Sequence, residues 1–311
     1  MNLQEYKIRS NNSQNDIFYE TNVSPETTRY PFYRGLHIGK NLSTEEVKTF
    51  FSLINNCENI LSKTYFIQRI GSLSRSAFVF LVNVSDDDFD QRLAVKYEKN
   101  YPKAESEIDI NKFLLENYPD DFLNMYYGTF CEDVNVLGES VTGYFMFMEV
   151  ATGDLKQIIQ SGYITEKELK RFLDEMTDSL ELLSLSSLYH GDLHAGNVFL
   201  VERDGMKRAV IGDFGETRFS SAPTRHLTDL YFLFTSLKEI LKNRGYYPII
   251  DKLLKFVSIQ SGVTEKEFEQ RISSLPEEFQ YYQEDQVPEE VNNIMNDLIS
   301  RDINMVKQML K

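Results

Sequence analysis

The sequence predicts an α+β fold in two parts, a small, mainly antiparallel β-sheet lobe followed by a larger, mainly helical lobe. Three observations carry this. Between Thr64 and Val150 apolar residues fall into short strand-like runs bounded by polar residues. One helical stretch, about Lys103 to Asn117, interrupts those runs. After Ala151 the spacing of apolar residues becomes that of helices. The boundaries that follow are an N-terminal arm and short helix over 1–62, the small lobe over 63–150 and the large lobe over 151–311.

Residues 1 to about 40 are rich in Asn, Ser, Glu, Thr and Tyr without periodicity, and read as an arm. Ser43-Thr44-Glu45-Glu46 is a capping box, followed by Val47, Phe50, Phe51 and Ile54 at helical spacing. Tyr65 to Ile70, Ala77 to Val84 and Arg92 to Glu98 read as strands, with Asp86-Asp87-Asp88 in the turn between the last two. Met125 to Cys131 and Gly143 to Val150 read as two more, joined by the polar stretch Glu132 to Thr142. Thr165-Glu166-Lys167-Glu168 is a second capping box and opens a helix to about Ser186. Asn197 to Glu202 and Arg208 to Ile211 form a hairpin whose turn holds Asp204-Gly205, because glycine tolerates positive φ. Beyond Leu227 the pattern is helical, with Leu230, Leu233, Phe234, Leu237 and Leu241 on one stripe. Amphipathic stretches follow over Thr264 to Ser273 and Pro288 to Leu310. The repeated Thr-Glu-Lys-Glu at Thr264 reads as another helix start.

The 311 residues carry a net charge of −15, which disfavours binding to a nucleic-acid backbone and suits basic protein partners. Cys57 and Cys131 have no metal-type spacing and no disulfide framework, so both are expected to stay reduced. The polar start and the lack of a long apolar run predict a protein of the cytoplasm with no membrane association.

The sharpest chemical signal is His190-Gly191-Asp192-Leu193-His194-Ala195-Gly196-Asn197, then a short hairpin, then Asp213-Phe214-Gly215. Phosphoryl transfer asks a protein for an in-line nucleophile and for neutralised charge on phosphate oxygens. Asp192 can accept the proton of an attacking hydroxyl. Asn197 and Asp213 are hard oxygen ligands suited to Mg²⁺, with Mn²⁺ an alternative. The hairpin folds these groups back onto one edge.

These segments resemble the catalytic and metal-binding loops of the protein-kinase superfamily. The resemblance covers about Thr64 to Asn243 and implies a bilobal protein-kinase-like fold, ATP as phosphoryl donor and a protein Ser/Thr acceptor. Leu93-Ala94-Val95-Lys96 resembles the strand that carries the family's phosphate-binding lysine, here Lys96. Glu107-Ile108-Asp109-Ile110 looks like the helix whose glutamate pairs with it, Glu107, with Glu105 as the rival. Phe147-Met148-Glu149-Val150 resembles the segment joining the lobes. By that resemblance Glu149 and Val150 would bond adenine through their backbone, Met148 would back the pocket and Phe199 would floor it. Asp229 fits the aspartate that holds the catalytic loop through backbone N–H groups.

The sequence also departs from the family. The glycine-rich phosphate loop keeps only Gly71, with Leu73 and Ser76 at the other glycine positions. Gly191 stands where many regulated protein kinases have the arginine that receives an activating phosphate, which implies activity independent of such phosphorylation. His194 replaces the usual lysine, and its protonated form would stabilise the transferring phosphoryl group. No Ala-Pro-Glu follows Asp213. Two other readings stay open: an aminoglycoside- or choline-type small-molecule phosphotransferase, and a pseudokinase that binds partners.

Overall fold

A computed structural model describes residues 64–70, 77–86, 89–136, 139–162, 164–203, 205–242, 247–280, 283 and 286–311. The expected arm, the helix starting at Ser43, the loop from Gly71 to Ser76, Asp87, Asp88 and Asp204 lie outside the described residues. The fold is mixed α+β, and the chain divides into two compact units, Met1–Val150 and Ala151–Lys311.

The first unit holds a five-stranded sheet and one helix. Strands β1 (Thr64–Ile70), β2 (Ala77–Asp86), β3 (Phe89–Glu98), β4 (Met125–Val136) and β5 (Glu139–Met148) lie in the order β1-β2-β3-β5-β4, every neighbour antiparallel. Strand β3 is central, and Leu93 to Glu98 are buried without alternation, as a strand covered on both faces requires. Helix α1 (Tyr101–Asn117) starts at Asn100, whose side chain accepts the Lys103 N–H, with Pro102 in its first turn. Its Ala104 and Ile108 pack on Met125, Tyr144 and Met146 of the sheet. Gly128 permits the approach, since a Cβ there would meet Ile108 Cδ1 at 2.7 Å.

The polar stretch Glu132 to Thr142, expected to be a loop, instead extends the β4–β5 hairpin. Val134 faces Val141 and Val136 faces Glu139, after a register shift between Cys131 and Val134. Strand pairing absorbs polar residues once the ladder is started, and the shift hides the period. Cys131 is buried and disulfide-bonded, against the expectation of reduced cysteines, while Cys57 lies outside the described residues.

In the second unit β6 (Gly153–Asp154) leads into α2 (Leu155–Ser161), capped by Asp154 at its start and by left-handed Gly162 at its end. Helix α3 (Glu166–Leu185) opens on the complete capping box, with Thr165 and Glu168 bonding reciprocally. Strand β7 (Leu188–Tyr189) follows, then the hairpin β8 (Val198–Arg203) and β9 (Met206–Ile211), then β10 (Arg218–Phe219). The sheets are β6-β8-β9 and β10-β7, antiparallel throughout. Sequence periodicity missed β6, β7 and β10 because two residues carry no period.

Helices α4 (Arg225–Leu241), α5 (Pro248–Ile272), α6 (Glu277–Gln280) and α7 (Glu289–Leu310) complete the unit. Leu230, Leu233, Phe234 and Leu237 of α4 are wholly buried. Burial of such side chains is worth about 1.5–3 kcal/mol each, so the stripe fixes this helix in the core. The second Thr-Glu-Lys-Glu is no helix start: Thr264 is wholly buried within α5. Apolar residues from Ile249 to Val257 already set the helix upstream, and the helix runs on through Thr264.

Candidate functional site

In the first unit Lys96 points from β3 toward α1. Its Nζ lies 2.7 Å from both carboxylate oxygens of Glu107, and both side chains are buried. The rival Glu105 is exposed and accepts the Tyr144 hydroxyl at 2.7 Å. Helical spacing separates the two: Glu107 adjoins the buried Ile108 face, whereas Glu105 lies on the outer side. At the end of β5, Met148, Glu149 and Val150 are half-buried. The Glu149 N–H is committed to Asn124 O at 2.9 Å, and Glu149 Oε2 accepts the Asn124 N–H at 3.2 Å. Asn124 thus fixes this segment.

In the second unit the loop after β7 is organised by His190. This ring is fully buried, and burial pushes it down to about 4, so it is neutral near pH 7. Its Nδ1 accepts the Asp192 N–H at 3.3 Å, which leaves the proton on Nε2 to donate to Gly212 O at 3.2 Å. One neutral imidazole therefore joins the backbone of Asp192 to the residue preceding Asp213. Phe214 lies beside it, ring centroids 5.5 Å apart.

The β8–β9 hairpin brings the remaining groups to the same loops. Val198 faces Ile211, and the Gly212 N–H donates to Asn197 O at 3.1 Å. Asn197 Nδ2 donates to Asp192 O at 2.9 Å. Because the amide nitrogen is spent there, Oδ1 is the atom left to act as a ligand. Asp213 has an exposed side chain and φ of +64°, a left-handed conformation that aspartate tolerates better than most residues. Among the described residues no group of three or more His, Cys, Asp or Glu forms a protein-only metal cage. A magnesium site of one carboxylate and one amide, completed by phosphate oxygens, needs none.

Asp229, in the second turn of α4, is wholly buried and receives the N–H groups of His190 at 3.0 Å and Gly191 at 3.1 Å. Desolvation pushes its carboxyl up to about 7, partly opposed by those two bonds. His194 Nε2 lies 3.8 Å from Asp192 Oδ2, with both side chains near half exposed. Its Nδ1 accepts the Gly196 N–H at 3.0 Å, a bond that a doubly protonated ring forfeits. Asp154 lies within electrostatic reach of His194, and burial raises its carboxyl. Phe199, on β8 opposite Asp154 and Val210, is half-buried.

The second unit thus gathers Asp192, His194 and Asn197 on one loop, bonded by Asp229 from α4 and with Asp213 adjoining, and the first unit pairs Lys96 with Glu107. Gly71 lies outside the described residues. Sequence reading missed His190 as the bridge, Ser236, whose Oγ accepts the Ala195 N–H at 3.2 Å, and Thr217, whose hydroxyl donates to His190 O at 3.2 Å. The histidine stood in the motif, and its neighbours' roles exist only once the loops meet.

No protein-family model matches the sequence. Over 116 residues, 36% of this chain, it is 25% identical to the calcium/calmodulin-dependent protein kinase cmkA of Emericella nidulans, covering 28% of that protein. Over 111 residues, 34% of this chain, it is 30% identical to the probable serine/threonine-protein kinase KIN1 homolog of Encephalitozoon cuniculi, covering 19% of that protein. The matched stretches span between about a fifth and somewhat over a quarter of these relatives. The comparisons thus relate about a third of this chain to protein kinases.

Proposed function

We propose that the chain is an ATP-dependent protein kinase of bilobal fold, its small lobe 63–150 and its large lobe 151–311, acting on Ser/Thr hydroxyls of a protein, preferably a basic one. The acceptor oxygen bonds to the γ-phosphorus, the bond from that phosphorus to the β–γ bridging oxygen breaks, and ADP leaves. The hydroxyl proton passes to Asp192. Asn197 Oδ1 and the Asp213 carboxylate would hold Mg²⁺ or Mn²⁺, whose charge neutralises phosphate oxygens. Lys96, steadied by Glu107, would meet the nucleotide phosphates with the Gly71 loop. Met148, Val150 and Phe199 would enclose the adenine, while the Glu149 N–H stays with Asn124. His194, beside Asp192, would orient the base or the transferring group.

The observation that supports this reading is the Asn197 side chain bonded to Asp192 O while its own carbonyl receives Gly212, which joins the segments that carry Asp192, Asn197 and Asp213. A small-molecule acceptor is the second reading. Gly191, at φ +81°, has no room for a side chain, since a Cβ would sit 2.7 Å from Glu216 O, and the segment from Asp213 to α4 is short. The shortness of that segment is the feature that favours a small acceptor.

Purified chain with Mg²⁺, γ-labelled ATP and a panel of basic proteins and amino-alcohol small molecules separates the readings. Label on protein Ser/Thr is expected. Label confined to small molecules replaces the acceptor class, and no label on any acceptor leaves a partner-binding role.

A further inference from the structure

Arg225, the first residue of α4, is 2% exposed, and among the described residues no carboxylate pairs with it. Burial alone pushes the guanidinium down to about 10, still charged near neutrality. Nε and Nη2 donate to Ser184 O at 3.1 and 2.7 Å. Nη1 donates to Ser220 O at 2.9 Å and Ala222 O at 3.0 Å. An apolar side chain would fill such a place at less cost than an unpaired cation. The carbonyls it gathers explain its presence. Ser184 lies in the last turn of α3, where its carbonyl also accepts the Ser187 N–H at 3.0 Å. Ser220 and Ala222 lie on the segment that runs from Asp213 to α4.

These are the two flanks of the β7–β10 ladder. Ser187, at φ +59°, turns α3 into β7, and its carbonyl accepts the Ser220 N–H at 3.0 Å. Arg218 faces Tyr189 and Phe219 faces Leu188. Nearer the site, Thr217 bonds His190 O, and Gly191 lies so close to Glu216 O that a Cβ would sit 2.7 Å from it. One flank continues into Asp192, and the other leads back to Asp213.

We propose that Arg225 is a positioning residue for phosphoryl transfer: its fork ties the segment after Asp213 to the end of α3, on the two flanks of the β7–β10 ladder that lead to Asp192 and Asp213, so the Asp192, Asn197 and Asp213 cluster assembles without a phosphate on that segment. This rests on the phosphotransfer reading above. The holding group is a buried side chain bonded to main-chain carbonyls, so no modified side chain is needed to hold the segment.

The test compares wild type, Arg225→Met and Arg225→Lys, each before and after treatment with a broad protein phosphatase. Turnover with γ-labelled ATP is measured well below each Tm, and amide hydrogen exchange is followed over 214–222. Wild type is expected to keep its turnover after phosphatase. Arg225→Met should lower kcat about 10- to 100-fold, the scale of a displaced catalytic geometry, with KM for ATP changed less than threefold. Exchange over 214–222 should quicken while that of α3 stays slow. Arg225→Lys, with three donors in place of the fork, should fall between the two. If Arg225→Met does not fold, the lysine variant decides by the same split. Wild type inactivated by phosphatase, or a folded variant with wild-type kcat and unchanged exchange, overturns the inference and leaves the phosphotransfer reading intact. Wild type inactive under both treatments overturns that reading itself.

Discussion

Replacing Asp229 with Asn probes the way the loop that starts at His190 is held. The carboxylate receives two backbone N–H groups, one on each oxygen, at 3.0 and 3.1 Å. Asparagine keeps one acceptor and turns an N–H₂ toward the other donor. One charge-assisted bond is worth about 1.5–3 kcal/mol, so kcat should fall about 10- to 100-fold if the loop geometry depends on it. Stability should respond with a distinct sign. Asp229 is raised from 3.8 to about 7 by burial, so between those values the folded state holds a proton that the unfolded chain has released. Its contribution is whole below the unfolded value and is lost as pH rises through 7. At about 1.4 kcal/mol per pH unit, roughly 3 kcal/mol disappears between pH 5 and 8. His190 acts oppositely, because it is lowered from 6.5 to about 4 and costs stability as pH falls below 6.5, but it is present in both proteins. Urea unfolding of wild type and Asp229→Asn from pH 5 to 8 isolates the difference. The variant should gain about 3 kcal/mol on wild type across that range. A difference constant with pH would refute the buried-carboxylate account.

Two further perturbations follow from buried groups. Glu107→Gln removes the negative charge from a buried carboxylate whose two oxygens both accept the Lys96 ammonium and should cost about 3–5 kcal/mol in denaturant titration, whereas the double variant Lys96→Met, Glu107→Leu should recover most of the stability but none of the transfer. Thr264→Val removes a hydroxyl that donates to Asp302 Oδ2 at 2.6 Å within a buried network of His226, Gln260 and Arg301. It should cost about 1–3 kcal/mol and leave the KM for ATP unchanged.

The strands and long helices were legible because each places apolar residues at its own period over many positions. Leu230 to Leu241 marked α4 by period, while Leu93 to Tyr97, buried without alternation, marked the central strand as a short run bounded by polar residues. The loop cluster was legible for a different reason: Asp192, Asn197 and Asp213 stand in two ordered polar motifs separated by a hairpin, which resemble a known family's loops. What stayed hidden depends on contacts between distant segments. Nothing near Arg225 signals a buried guanidinium, because its partners are main-chain carbonyls that any residue supplies. The two Thr-Glu-Lys-Glu runs show the same limit. Thr165 caps a helix, while Thr264 is buried inside one, and the upstream residues alone distinguish them.

The most direct measurement is transfer of label from γ-labelled ATP to a protein acceptor by wild type and by Asp192→Asn, at equal concentration and with Mg²⁺ saturating. Removing a general base typically costs about 10²–10⁴ in rate. Wild type is expected to label Ser/Thr, and the variant to fall by that factor while its fold and nucleotide affinity persist. Equal labelling by the two proteins would contradict the assignment of Asp192 and the phosphotransfer account built around it.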